Sequence, residues 1–206
     1  MFGNRAEAAA RLAEALEAYR GKNPLVLAVP RGAVLMGKRI AEALGGQLDV
    51  VLVRKLRAPG NPELAIGAVD ESGGYQVADY APSTGADSKY IEAEKERQVD
   101  ILHRRRSQYT GRPPIDPQGR IVIVVDDGLA TGSTMIAALR ALRARDPARL
   151  ICAVPVAPPE TVAKVKPYAD EMVCLMTPAN FYAVSQFYRE FPQVEDEEVI
   201  ALLAGD

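Results

Sequence analysis

A chain of 206 residues, 48% of them hydrophobic, has the length of one α/β domain with some elaboration and the composition of a normal core. The formal net charge of -2 excludes a global electrostatic pull toward nucleic acid or anionic membrane. No run of ~18 apolar residues is present to span a bilayer, and the charged start of the chain lacks the apolar centre of a signal peptide, so a cytoplasmic protein is expected. His103 is the only histidine, and Cys152 and Cys174 sit inside apolar runs. That leaves no zinc set and no histidine-based nucleophile, and it reads the cysteines as small buried hydrophobes.

In chain order, Asn4 with Glu7 predicts a capped N-terminal helix carrying Leu12, Leu16 and Tyr19 on one face, with Gly21 as its stop. Its expected role is packing rather than chemistry. Residues 25–29, Leu-Val-Leu-Ala-Val, read as a strand buried on both faces. The turn Pro30-Arg31-Gly32-Ala33 follows, and Met36, Ile40 and Leu44 mark the next helix. A third strand is expected at 48–53, ending in the cations Arg54 and Lys55. Turn residues at 59–62 and 72–74 then bracket strands at 64–69 and 75–77, an antiparallel excursion. Asp87 is expected to cap a helix from 88 to about 109, with Glu92 and Glu94 early and Arg104, Arg105 and Arg106 late, as the macrodipole favours. Its apolar face is thin, Ile91, Val99, Leu102 and Tyr109, so the helix is read as poorly buried or packed on a partner subunit. The arginine run is read as a solvated helix end.

The centre of the chain is residues 121–135, Ile-Val-Ile-Val-Val-Asp-Asp-Gly-Leu-Ala-Thr-Gly-Ser-Thr-Met. A β-branched strand ends in Asp126 and Asp127. A loop of small and hydroxylated residues, Gly128 to Thr134, leads into a helix marked by Ile136, Leu139 and Leu142. Strand, acid pair, turn and helix together make a phosphate cradle at a helix N-terminus, with two carboxylates beside it for a sugar's hydroxyls or a divalent cation. A Walker loop would need a lysine here, and a dinucleotide fingerprint would need Gly-x-Gly-x-x-Gly; neither is present. Further strands are expected at 150–156 and 172–176, with a short proline-initiated helix between them at Pro158-Pro159-Glu160. The stretch from Phe181 to Tyr188 is aromatic-dense in a chain only 6% aromatic. It reads either as packing of the C-terminal tail or as a platform for a planar base. Asp196 is expected to cap a final helix.

Strands alternating with helices predict a parallel, Rossmann-like α/β sheet flanked by helices, with a small hood and the antiparallel excursion, in a single domain over residues 1–206. The N-terminal helix, the region about 56–85 and residues 177–206 would be accessory parts. Four candidate segments, at Arg31, Arg54, Asp126 and Phe181, each follow a predicted strand end, the edge at which such sheets bind ligands.

The stretch from Val125 to Thr134 closely resembles the phosphoribosyl-pyrophosphate motif of type I phosphoribosyltransferases, and the chain as a whole is similar to stand-alone prokaryotic members of that family. The resemblance implies an enzyme that moves a 5-phosphoribosyl group from phosphoribosyl pyrophosphate to a nitrogen nucleophile, a nucleobase, with Mg²⁺ bound mainly by the substrate. Asp126 and Asp127 would hold the ribose hydroxyls and stabilise an oxocarbenium-like state, touching the metal at most through water. Gly128, Leu129, Ala130, Thr131, Gly132, Ser133 and Thr134 would form the 5′-phosphate loop. Arg31 and Gly32 would lie in the pyrophosphate loop, where a non-proline cis peptide is expected between Pro30 and Arg31. Arg54 or Lys55 would add positive charge there. Phe181 or Tyr182 would stack on the base. Residues 56–85 occupy the place of the family's mobile loop, with a static hairpin as the alternative reading. Ala130 stands where 6-oxopurine enzymes carry a third Asp, which brings the loop closer to adenine-type enzymes and leaves Glu63 and Asp70 as candidate acids or bases. The family also implies a homodimer, while the net charge and the lack of a long apolar run leave nucleic acid and membrane unexpected as partners. Two other functions fit the same residues: a non-catalytic sensor of phosphoribosyl pyrophosphate or nucleotides, and a metal-dependent phosphatase or kinase-like enzyme.

Overall fold

The structure, a computed structural model, describes residues 1–205. In chain order its elements are α1 (Arg5–Ala15), β1 (Leu25–Ala28), α2 (Val34–Leu44), β2 (Gln47–Val50), β3 (Val53–Ala58), β4 (Asn61–Asp70), β5 (Tyr75–Val77), α3 (Ser88–Tyr109), β6 (Ile121–Val125), α4 (Ser133–Arg143), β7 (Arg149–Val156), α5 (Pro159–Val165), β8 (Glu171–Met176) and α6 (Asp196–Leu203). They form two compact units: Met1–Val51 with the chain from Pro113 onward, and Leu52–Arg112. Among the described residues no helix is long and apolar enough to cross a membrane.

The first unit is built on a five-stranded sheet in the order β2-β1-β6-β7-β8, with every neighbouring pair parallel. The apolar runs dictate this. All four residues of β1, Val122–Val125 of β6 and residues 150–156 of β7 are buried, as only strands covered on both faces can be. The chain steps from β1 to β2 in one direction and from β6 through β7 to β8 in the other. Right-handed crossovers therefore put α2 on one face and α4 and α5 on the other. The order reverses between β1 and β6, so the turns leaving those two strands face each other at the crevice of the switch point.

The chain's two ends are stitched together beside that crevice. Phe2 bridges Tyr188 in parallel register, and its amide donates to the Phe187 carbonyl at 2.8 Å. The amides of Arg189 and Glu190 donate to the carbonyls of Phe2 and Gly3 at 2.9 and 3.0 Å. Phe2 is fully buried, with its ring 5.5 Å from that of Tyr188. Asn4 caps α1 as expected, its Oδ1 accepting from the Glu7 amide at 2.9 Å. Glu7 answers through the amide of Gly3. The final helix departs from expectation in one detail: Glu195 occupies its N-cap position without a side-chain bond, and Asp196 is the first helical residue.

The second unit is the antiparallel excursion, in the order β3-β4-β5, with α3 beside it. Two expectations are corrected here. The strand predicted at 48–53 divides: β2 ends at Val50 in the parallel sheet, and β3 begins at Val53, paired antiparallel with β4. Arg54 and Lys55 thus lie inside a strand rather than after one. The reason is a change of period. Lys55 and Arg57 are exposed while Leu56 and Ala58 are buried, the alternation of a strand with one covered face. The second correction concerns α3, which runs over the predicted residues and is capped by Asp87. It buries Glu94, Gln98, Leu102, Arg106 and Tyr109, not Ile91 and Val99. Arg106 is no solvated helix end. Its Nε and Nη2 grip both carboxylate oxygens of Glu71 at 3.0 and 2.7 Å. Three paired polar side chains, Glu94, Gln98 and Arg106, share the buried face with Leu102 and Tyr109 of the expected apolar stripe.

Candidate active site

The turns leaving β1 and β6 meet at the crevice. The amide of Val29 donates to the Val125 carbonyl at 3.0 Å, so the two strand ends are level. Beyond it the peptide between Pro30 and Arg31 is cis, as expected. Gly32 presses on the acid pair: a Cβ there would overlap Asp127 Oδ2 and lie 3.0 and 3.1 Å from Arg5 Nη2 and Nε. Only glycine lets the two turns approach this closely. Arg31 is exposed, with Nη1 3.7 Å from Asp196 Oδ1.

Asp126 and Asp127 are half-buried at the end of β6, and the Asp127 amide donates to Asp126 Oδ1 at 2.8 Å. Burial and then the neighbouring charge of Asp127 push the Asp126 carboxyl well above the usual carboxylate range. Burial also raises Asp127, against the opposing charge of Arg5. That arginine opens α1. Its Nε donates to Asp127 Oδ2 at 3.0 Å, its Nη1 donates to the Pro192 carbonyl at 2.7 Å, and its guanidinium lies 3.9 Å over the ring of Phe191. Tyr188 donates its hydroxyl to the Asp127 carbonyl at 2.6 Å. The N-terminal helix is therefore not mere packing: it delivers a cation to the acid pair.

The loop after the acids is braced from below and open above. Leu129 is buried and its amide donates to the Val156 carbonyl at 2.9 Å, so it anchors the loop rather than presenting a side chain. Thr161, in the first turn of α5, is 2% exposed and donates to the Ala130 carbonyl at 2.6 Å. Gly128 is covered by Val184. Gly132 takes a left-handed φ of 79° and ends the loop with no side-chain cap on α4. The Ser133 amide that opens α4 donates to Thr131 Oγ1 at 3.4 Å, and the amides after it, with no side-chain cap from Gly132, are placed for an anion beside the exposed Thr131, Ser133 and Thr134. Thr131 Oγ1 and Ser133 Oγ share a hydrogen bond of 2.9 Å.

The aromatic stretch divides between its two readings. Phe187 and Tyr188 are buried packing residues, and Tyr188 also fixes the acid turn. Phe181 is half-buried and stacks on Phe187 with centroids 5.3 Å apart, whereas Tyr182 is 89% exposed. In the second unit Arg54 is half-buried, with Nε donating to Gln98 Oε1 at 2.6 Å, and Lys55 is exposed. Burial lowers the Arg54 pKa, helped by the nearby charges of Arg105 and Arg57, so the group favours an anion beside it. Of the two candidate acids there, Glu63 is exposed. Asp70 is spent on its own turn, accepting from the amides of Ser72 and Gly74 at 2.8 and 3.1 Å.

Three contributors lay outside the sequence reading. Arg5 carries no local signal, because an arginine in a capped first turn is ordinary. Tyr188 was one aromatic among several. Thr161 is a lone hydroxyl in a short helix, its partner thirty-one positions away.

A half-buried acid pair, an open helix N-terminus and a glycine turn at a sheet's switch point can hold a phosphorylated sugar by its hydroxyls and its phosphate. Comparison with known proteins shows the family. The sequence profile of the phosphoribosyl transferase domain matches residues 3–192. The chain is 42% identical over 205 residues to two Mycobacterium tuberculosis proteins, each named "Putative phosphoribosyl transferase": MT0597 of strain CDC 1551 and Rv0571c of strain H37Rv. Those matches cover 98% of this chain and 46% of each relative, so the chain spans about half their length. Among solved structures, TT1426 from Thermus thermophilus is 47% identical, with a TM-score of 0.88 over 99% of this chain and 98% of that one. With the domain matched over nearly all of its length, the chain belongs to the phosphoribosyl transferase domain family.

Proposed function

We propose that the protein transfers the 5-phosphoribosyl group of phosphoribosyl pyrophosphate to a nitrogen nucleophile of the nucleobase class and releases pyrophosphate. The observation that carries this reading is the acid pair. Two carboxylates are held half-buried at a switch point with Arg5 as the one cation bonded to them among the described residues, and burial disfavours their charge. An arrangement so short of positive charge favours a partner that becomes cationic.

In the proposed reaction the C1′–oxygen bond breaks and its electron pair leaves with pyrophosphate. The sugar passes through an oxocarbenium-like state, the nitrogen lone pair forms the new C1′–N bond, and the nitrogen's proton passes to solvent. Asp126 and Asp127 would hold the ribose hydroxyls and face the developing positive charge. The α4 amides with Thr131, Ser133 and Thr134 would hold the 5′-phosphate, and Arg31 with the Gly32 turn the pyrophosphate. No covalent intermediate on the protein is needed. Among the described residues no group of three or more His, Cys, Asp or Glu could hold a metal ion by itself. Mg²⁺ would fit here only with the donor's diphosphate oxygens as its main ligands and Asp126 or Asp127 through water, and bound so it would screen charge on the leaving group.

The test is pyrophosphate release from phosphoribosyl pyrophosphate with Mg²⁺ across a panel of nucleobases, with Asp127→Asn alongside. Turnover with at least one base, and its loss in Asp127→Asn, is expected. Ligand binding without turnover on any base would overturn the catalytic reading in favour of a sensor. Turnover indifferent to Asp127→Asn would remove the role given to that carboxylate.

A further inference from the structure

Arg5 is placed for more than holding Asp127. Its residue is 9% exposed, and two of its three nitrogens are engaged, Nε with Asp127 Oδ2 and Nη1 with the Pro192 carbonyl. The third, Nη2, makes no hydrogen bond among the described residues and lies 3.0 Å from the point where a Cβ on Gly32 would sit. Arg5, Arg31 and Gly32 line one cleft of about 400 Å³, closed on another side by Phe191 and Pro192. A buried, always-charged donor aimed into a cleft beside a second arginine is a site for an anion. The rigid planar fork matters here, since a lysine ammonium could not reach Asp127 and the Gly32 turn in fixed directions together.

Resting on the proposed function, we propose that Arg5 binds the donor's diphosphate. Nη2 takes a diphosphate oxygen at the Gly32 turn while Nε keeps its hold on Asp127. One side chain then ties the leaving group to the carboxylate that faces the sugar. As the C1′–oxygen bond breaks, negative charge grows on the oxygen that Nη2 faces, and positive charge grows on the ring that Asp127 faces. The one guanidinium fork serves both ends.

The test is calorimetric titration of the whole chain with two probes, inorganic pyrophosphate with Mg²⁺ and ribose 5-phosphate, for wild type, Arg5→Ala and Arg5→Lys. Thermal melts of each variant run alongside. Arg5→Ala is expected to weaken pyrophosphate about tenfold or more, the size of one lost charge-assisted hydrogen bond. Ribose 5-phosphate, which Arg5 serves only through its hold on Asp127, should weaken by a factor about threefold or more smaller than the factor for pyrophosphate. Arg5→Lys, which keeps a positive charge but loses the planar fork, should fall between wild type and Arg5→Ala for pyrophosphate. Equal weakening of both probes would mean that Arg5 acts only through Asp127, and would overturn the diphosphate contact. Tighter binding in Arg5→Ala would overturn it as well, making Arg5 a plug that ligands displace. If both probes bind wild type and neither depends on Arg5, this inference fails and the phosphoribosyl reading stands. If pyrophosphate binds through Arg5 but ribose 5-phosphate does not bind at all, the phosphoribosyl reading fails and the anion site stands.

Discussion

Gly32→Ala isolates the meeting of the two turns better than any change to a charged residue. The added methyl would overlap Asp127 Oδ2 and approach Arg5 Nη2 and Nε to 3.0 and 3.1 Å. A carbon and an oxygen need about 3.3 Å between them, so the carboxylate must retreat by about 1 Å. It can do so by rotating a short side chain whose tether is the 3.0 Å bond to Arg5. The backbone of β1 and β6 need not move. Overpacking of this kind costs about 1–3 kcal/mol. In a chain of 206 residues that lowers the melting temperature by roughly 2–4 °C per kcal/mol. The functional loss should be larger, because a misplacement of about 1 Å at a positioning group costs on the order of 10²-fold in rate. The assay is kcat/KM for phosphoribosyl pyrophosphate together with a thermal melt. A folded Gly32→Ala protein with unchanged kcat/KM would refute the claim that Asp127 works from the position Gly32 makes for it.

Two further predictions probe the same region. Asp126→Asn should stabilise the ligand-free protein near neutral pH by about 0.5–2 kcal/mol while abolishing turnover. The sign follows from burial, which raises this carboxyl in the folded state and makes ionisation easier in the unfolded chain. The stability carried by the protonated form is present at acid pH and lost as pH rises from the unfolded pKa through the folded one. The advantage of the Asn variant should therefore grow from pH 4 to pH 8 in urea titrations, and a variant less stable at every pH would contradict it. Thr161→Val keeps the shape but takes the donor from the Ala130 carbonyl. It should destabilise by about 1–3 kcal/mol and raise KM for the donor more than it lowers kcat, since the loop it braces is the proposed phosphate site. An unchanged KM would show that the loop does not depend on α5.

Local patterning carried far into this fold. The runs at 25–29, 121–125 and 150–156 are apolar without a polar break because their strands are covered on both faces, and the structure pairs them as one parallel sheet. Asn4 and Asp87 cap the helices they were expected to cap, because a cap bonds only three residues ahead. Patterning failed where a side chain's partner is distant. Nothing near Arg106 announces Glu71, thirty-five positions earlier, so a buried charge pair was read as a solvated helix end. The break between β2 and β3 was hidden for a related reason. Residues 48–53 are almost wholly apolar, and only the partner strands show that two sheets share the run.

The sequence by itself determined the chemistry of the centre, Asp126-Asp127 followed by Gly-Leu-Ala-Thr-Gly-Ser-Thr, because strand, turn and helix start are each set by residues within a few positions of one another. The expected cis peptide after Pro30 came from the family resemblance and is found in the structure. Only the tertiary structure brought Arg5, Gly32, Asp127, Tyr188 and Pro192 together, from positions spread over almost the whole chain. The physical reason is that a hydrogen bond or ion pair depends on distance in space, while periodicity and capping report only distance along the chain. Residues 2 and 188 pair beside the acid turn that Arg5 reaches, and no short window of sequence contains both.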